Sequence, residues 1–260
     1  MAIQSENPSV VEEAETLRQG EWTLDVGFFY RDHPVDYGVA DRQFSLGIPT
    51  LRTSLGLGEM VEFQVNGAGL VWMEDILGRY TTNSGDWELA TKIRFLTEEG
   101  FRPTASFYYS VKLPNGDDER GGSTDETDFY AYLLTDKWLS ENCQGHLALG
   151  LGILGNPFTN ASQNDIFSFG MSFGWQVNSR NWVNFDFGGA TGPKVHDDPR
   201  GFMVGFSHEM KKWTGYASVG FGLGDDEEDF RLVFGCRRGF HFRHSSQASR
   251  RGRGNGGRGT

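Results

Sequence analysis

The stretch DIFSFGMSFGWQVN, Asp165 to Asn178, constrains the fold more than any other part of the sequence. Phe167, Phe169, Met171, Phe173, Trp175 and Val177 share one parity, and Ser168, Gly170, Ser172, Gly174 and Gln176 share the other. A period of two is that of a β-strand, whose successive side chains leave opposite faces of the sheet. One face of this strand is large and apolar; the other is small and polar. A helix would scatter both sets around its circumference.

The same split recurs along the chain. Trp22, Leu24, Val26, Phe28 and Tyr30 alternate with Glu21, Thr23, Asp25 and Gly27, and Trp87, Leu89, Ile93 and Phe95 oppose Glu88, Lys92 and Arg94. In FRPTASFYYSVKL, Phe101, Phe107, Tyr109 and Val111 oppose Arg102, Ser106 and Lys112. Reading on in this way predicts twelve strands, at 22–30, 43–57, 60–70, 85–95, 101–113, 125–137, 144–154, 165–178, 181–190, 201–210, 212–223 and 229–242. The second should carry a bulge, because Pro49 interrupts it and the apolar phase shifts afterwards. The sixth has aromatics on both faces. Thirty-six glycines and 21 phenylalanines in 260 residues suit many strands joined by tight turns.

Connection lengths then discriminate between all-β architectures. After odd-numbered strands come RDHPVDYGVADR, VWMEDILGRYTTNSG, PNGDDERGGST, GNPFTNASQN, ATGPKVHDDPR and GDDEE, which are long and mostly polar. After even-numbered strands come LGE, TEEG, DKWLSENCQG, NSRN and MKK, all but one very short. A soluble sandwich has no reason to gather its short turns at one end. An up-and-down barrel in an outer membrane has short periplasmic turns and long external loops, an even strand number and no unpaired edge. Strands of about 9 to 11 residues are long enough to cross a bilayer at a tilt. The expected fold class is therefore all-β, a closed antiparallel transmembrane barrel of about twelve strands. In such a barrel the greasy face meets lipid, and Trp22, Trp87, Trp182, Trp213 and Tyr30 suit interfacial belts. A soluble barrel or sandwich with the same alternation would turn that face inward.

The net charge is −11, and the last 18 residues hold five arginines and no acid, which leaves −16 on residues 1 to 242. So acidic a body repels phosphate backbones, which excludes a nucleic-acid-binding core; only the Arg/Gly tail at 243–260 has the composition to touch RNA. The two cysteines, Cys143 and Cys236, form neither a CxxC nor a zinc pattern. The start, MAIQSENPSVVEEAE, lacks the basic and apolar regions of a signal peptide, so a membrane reading implies that a signal has been removed. The expected organisation is an N-terminal periplasmic segment at 1–20, a barrel at 21–242 and a basic tail at 243–260.

The chain resembles a family of bacterial outer-membrane transporters, the MetA pathway of phenol degradation family. The resemblance covers most of residues 17 to 242. It is carried by LRQGEWTLDVGFFYRD, GDWELATKIRFL, RPTASFYYSVKLPNGDDERGGSTDETDFYAYLL and HLALGLGILGNP, with the K-L-P-x-G-D turn followed by T-D-x-T-D-F as its most specific part. It implies an outer-membrane barrel that carries solutes, with no catalytic residues and no cofactor.

Candidate chemistry narrows accordingly. Ser207, His208 and Glu209 are consecutive on a strand, so Ser207 and Glu209 share the lumen face while His208 points away, and the three cannot form a catalytic cluster. The acidic residues Asp117, Asp118, Glu119, Asp125, Glu126 and Asp128 are oxygen ligands of the kind calcium takes, yet they lack the EF-hand spacing. With Asp197, Asp198 and Asp225 to Asp229 they read instead as a negative external rim. The lumen is expected to receive Lys92, Arg94, Arg102, Lys112 and Arg231 with Asp25, Glu62, Glu88 and Asp186, and Tyr108 and Tyr132 are placed to contact an aromatic or apolar solute. The near balance of charge is consistent with interior ion pairs that close the lumen, since an unpaired charge there is costly. The reading reached is a monomeric, non-enzymatic outer-membrane channel for small solutes, aromatic or hydrophobic ones among them. It needs no cofactor, and its partners are membrane lipid, lipopolysaccharide and the solute. A structural or surface-binding barrel with a closed lumen is the alternative.

Overall fold

In the computed structural model, residues 11–32, 42–75, 77–116, 126–155, 164–192, 200–223 and 229–241 are described. The acidic loop residues Asp117, Asp118, Glu119, Asp125, Asp197 and Asp198, residues 225–228 and the basic tail lie outside them. All regular structure among the described residues is β, in fourteen segments: β1 (Glu21–Asp32), β2 (Arg42–Gly56), β3 (Val61–Ala68), β4 (Val71–Asp75), β5 (Tyr80–Asn83), β6 (Trp87–Leu96), β7 (Thr104–Leu113), β8 (Asp128–Ser140), β9 (Cys143–Leu154), β10 (Asn164–Asn178), β11 (Asn181–Thr191), β12 (Arg200–Glu209), β13 (Thr214–Gly222) and β14 (Phe230–His241).

Each segment pairs antiparallel with its neighbours, and β1 pairs with both β2 and β14, which closes the sheet. The barrel has twelve strands, because β3 with β4 and β5 with β6 are each one wall strand interrupted near its middle. β2 shows the continuity: it pairs with β3 through Thr50–Gly56 and with β4 through Arg42–Gly47. The stretch VWMEDILGRYTTNSG, expected as a loop, is therefore largely a hairpin, with Val71–Glu74 opposite Tyr80–Asn83. Trp72 and Met73 are adjacent in it and leave opposite faces, Trp72 exposed and Met73 buried.

The predicted bulge in the second strand is present. Gly27 pairs with Thr50 and Phe29 with Gly47, so Ile48 and Pro49 together face one residue of β1. This moves the inward parity from Ser45 and Gly47 to Thr50, Arg52 and Ser54. At the other turns the structure is tighter and looser than the sequence suggests. β8 runs on to Ser140, so DKWLSENCQG shrinks to a turn at Glu141 and Asn142. The turn before β7 spans Thr97 to Pro103, with Glu99 and Arg102 bridged, so Phe101 and Arg102 belong to the turn.

Face assignment decides the environment. On β9 and β10 the apolar parity, including Leu149, Leu151, Phe173 and Trp175, is exposed on the outside, Leu151 at 62%. The opposite parity, including Ala148, Ile166, Ser168 and Ser172, is buried inside. Charged groups lie within as well: Lys92 is 3% exposed and Asp186 3%. A soluble barrel would be inverted. Only a solvent that rewards exposed Leu and Phe, the hydrocarbon of a bilayer, accommodates this surface. Aromatic residues mark its edge: Trp22 stacks on Phe240 at 4.3 Å, and the Arg238 guanidinium lies over the rings of Trp213 and Phe240. Trp182 is an exception to the expected belt. On β11 it shares the parity of Asp186, which alternation already assigns to the lumen, and it lines the cavity there.

Candidate functional site

The lumen is organised by a segment that the periodicity does not describe. A β-turn joins Arg18 to Glu21, with the Glu21 N–H donating to the Arg18 carbonyl at 2.9 Å and Gly20 at a φ of +79°. A left-handed residue at that turn position favours glycine. The turn reverses the chain at the end of the barrel that carries the short turns, which in an outer-membrane barrel is the periplasmic end. Residues 11–18 therefore run back inside the barrel. The N-terminal segment, expected in the periplasm, lies in the lumen from Val11 onward.

Its sequence, VEEAETLR, explains the fit. Val11 and Ala14, three residues apart, are buried in a cluster with Tyr108, Tyr132, Leu134 and Met203. Its acids face the cations of the wall. The Glu12 carboxylate accepts from Arg52 at 2.5 Å, from Gln64 at 2.9 Å and from the Lys92 ammonium at 2.9 Å. Burial alone would raise the Glu12 pKa, but the Arg52 and Lys92 charges outweigh it and hold the carboxyl well below the usual range. Glu15 pairs with Arg94 and accepts from the Thr104 hydroxyl at 2.9 Å. The wall in turn binds the segment's backbone. Asp136 accepts the N–H groups of Ala14 at 2.7 Å and Glu15 at 3.2 Å while its other oxygen meets His146 Nδ1 at 2.8 Å. Glu62 accepts the Leu17 N–H at 2.8 Å, and the Ser106 hydroxyl donates to the Ala14 carbonyl.

The residues singled out in the sequence distribute as follows. Glu62 and Lys92 meet at 3.6 Å, with Glu12 completing the cluster. Arg94 is drawn to the segment. Glu88 accepts the Tyr108 hydroxyl at 3.0 Å. Tyr108 and Tyr132, whose rings are 6.2 Å apart, are buried against Val11 and Ala14 rather than open to a solute. Lys112 pairs with Asp128 at 2.7 Å near the external end. Asp25 accepts the Tyr216 hydroxyl at 2.5 Å and the Arg237 guanidinium at 3.0 Å. Asp186 and Arg231 are buried on the inner face of β11 and β14. Arg102 is a correction: the turn at 97–103 starts β7 only at Thr104, and the Arg102 side chain lies outside the lumen, half exposed and paired with Glu99 at 2.8 Å. Ser207 and Glu209 do point inward, while His208 Nδ1 pairs with the Asn181 side chain at 2.7 Å.

Sequence reasoning missed Glu12, Glu15, Arg52, Asp136 and Arg237. For Glu12 and Glu15 the signal was charge rather than period, an acidic, strandless EEAE directly before a barrel whose inner parity carries Arg52, Lys92 and Arg94, whereas Arg52, Asp136 and Arg237 share the inward parity of β2, β8 and β14.

Beside the segment a cavity of about 440 Å³ remains, bordered by residues 11–17, by β9 to β14 with β1, and by Arg52, Ser54, Glu62 and Lys92 of β2, β3 and β6. Trp182, Tyr216, His146, Asn184 and Ser218 contribute to its wall.

Solved structures share this architecture. The COG4313 outer membrane channel from Pseudomonas putida F1 matches with a TM-score of 0.66 at 13% identity, over 88% of this chain and 99% of that one. The NanC porin matches with a TM-score of 0.58 at 10% identity, over 83% and 98%. The KdgM porin matches with a TM-score of 0.55 at 10% identity, over 84% and 99%. At such identities the likeness is one of fold, and the fold is that of outer-membrane channels and porins. No protein-family model and no curated protein sequence matches the chain.

Proposed function

We propose that the chain is a passive outer-membrane channel for small solutes, including ones with aromatic or apolar parts. The observation that carries this reading is the cavity of about 440 Å³ left open beside the docked segment, inside a barrel whose exterior is suited to lipid. That volume falls in the range of small-molecule sites. Trp182 and Tyr216 are among the residues that line it, which supports an aromatic or apolar portion in the solute. No part of the reading needs a catalytic group or a cofactor.

A second reading, a structural barrel with a closed lumen, is favoured by the segment itself, which is fixed in the lumen by ion pairs and backbone hydrogen bonds. Single-channel recording of the full chain in planar bilayers, with uptake of small aromatic solutes into proteoliposomes, separates the two. The channel reading expects discrete conductance steps and solute entry above that of empty vesicles. A silent bilayer and vesicles no leakier than controls would establish the closed barrel.

A further inference from the structure

The cavity is unequal in charge, and the inequality is built from both sides of it. Carboxylates of Glu12, Glu13, Glu15, Asp25, Glu62 and Glu209 line it, against the cations Arg52, Lys92 and Arg237. Every one of those cations is already engaged by a carboxylate. Arg52 holds Glu12, Lys92 holds Glu12 and Glu62, and Arg237 holds Asp25 at 3.0 Å. Glu15 takes Arg94, and the His146 ring is bound to Asp136. Glu13 and Glu209 form no ion pair among the described residues, and both are exposed. One stands on the docked segment, within electrostatic reach of His146, and the other at the end of β12, so the cavity is faced from each side by a carboxylate that belongs to no ion pair among the described residues.

We propose that this lumen selects cations, with Glu13 and Glu209 as its specificity-determining residues and small organic ammonium ions as the solute class it favours. The inference rests on the channel reading above and names its solute. Low-dielectric walls focus the field of unpaired charges on the space between them, and carboxylates at a constriction favour cations over anions. Trp182 lines the same wall, and an indole there attracts an ammonium more than a neutral solute. An anion would meet no free positive group there, because each of the three cations is occupied.

The test is the reversal potential of the full chain in planar bilayers under a potassium chloride gradient, repeated with tetramethylammonium chloride. The expected result is permeability to potassium and to tetramethylammonium above that to chloride. In a Glu13→Gln, Glu209→Gln double variant the ratio should fall about threefold or more toward unity, as loss of two nearby charges predicts at moderate ionic strength. Both side chains are exposed, so the barrel should still fold, and retained heat-modifiable migration verifies it. Anion preference, no preference in the parent protein, or an unchanged ratio in the double variant would overturn the selectivity while leaving the channel intact. Absence of any current would instead remove the channel reading and this inference with it.

Discussion

Glu12→Gln is the sharpest perturbation of the docked segment, because it removes one charge and almost no volume. The Glu12 carboxylate compensates two buried cations at once, Arg52 at 2.5 Å and Lys92 at 2.9 Å, with side chains only 16% and 4% exposed. Removing one member of a buried charge cluster costs about 3 to 5 kcal/mol. The low end applies here, since the amide oxygen can still accept one bond, Lys92 keeps Glu62 at 3.6 Å and Arg52 keeps Gln64 at 3.1 Å. The cost falls on docking rather than on the barrel, because an undocked segment lets water reach both cations. A penalty of about 3 kcal/mol weakens docking by roughly a hundredfold. Hydrogen exchange reads this directly. The Ala14 and Leu17 N–H groups donate to Asp136 and Glu62 only while the segment is docked, so their protection should drop by about that factor, while amides in the middle of β9 and β10 keep theirs. Unchanged protection at Ala14 and Leu17 would refute the claim that the ion cluster holds the segment.

Acidification should act the same way. The docked Glu12 pKa lies below its ordinary value near 4.5, so docking is fully favoured above that pH and weakens progressively as the pH falls through it toward the docked value; exchange at Ala14, corrected for its intrinsic rate, should speed up below about pH 4.5 and be constant above pH 6. On the outer surface, Leu149→Arg places a charge on the lipid face at mid-strand, which costs about 2 to 4 kcal/mol; a urea titration in lipid vesicles should show a lower unfolding midpoint, and an unchanged one would count against the assigned face. Gly150→Val would drive its side chain into the Tyr132 ring, which Gly150 alone leaves room for. Overpacking of this kind costs about 1 to 3 kcal/mol, again visible in the urea midpoint, and a Tyr132→Ala second substitution should recover part of it.

The barrel was legible because lipid enforces one rule on every strand. Alternation named the faces, and the ordering of long and short connections named the topology. Errors arose where a residue obeyed a local turn instead. Arg102 fits the parity of β7 but precedes its first hydrogen-bonded residue, since the chain between Thr97 and Pro103 closes on itself through Glu99 and Arg102. Trp182 looked like a girdle residue from its residue type, yet it shares the inward parity of Asp186 on β11. The candidate site was legible in part. Glu62, Lys92 and Arg94 were assigned inward from periodicity, but their partners Glu12 and Glu15 sit on a segment with no period at all. Nothing in alternation says where such a segment goes.

Charge and side-chain volume together explain why the segment lies on one side of the lumen. Toward β2, β3, β6 and β7 the inner parity presents long cations, Arg52, Lys92 and Arg94, which reach across the lumen to a chain that carries Glu12 and Glu15. Toward β10 to β13 the inner parity presents, beside Trp182 and Tyr216, the shorter Gly174, Asn184, Gly205 and Ser218, which leave space open. Glycine weakens a strand and contributes nothing to packing, so its placement on the inner face of β10 and β12 is not accounted for by barrel stability. It is accounted for by the cavity. Had those positions carried leucine, the lumen would be filled from that wall, and the ion pairs opposite would seal a barrel with nothing left to pass through it.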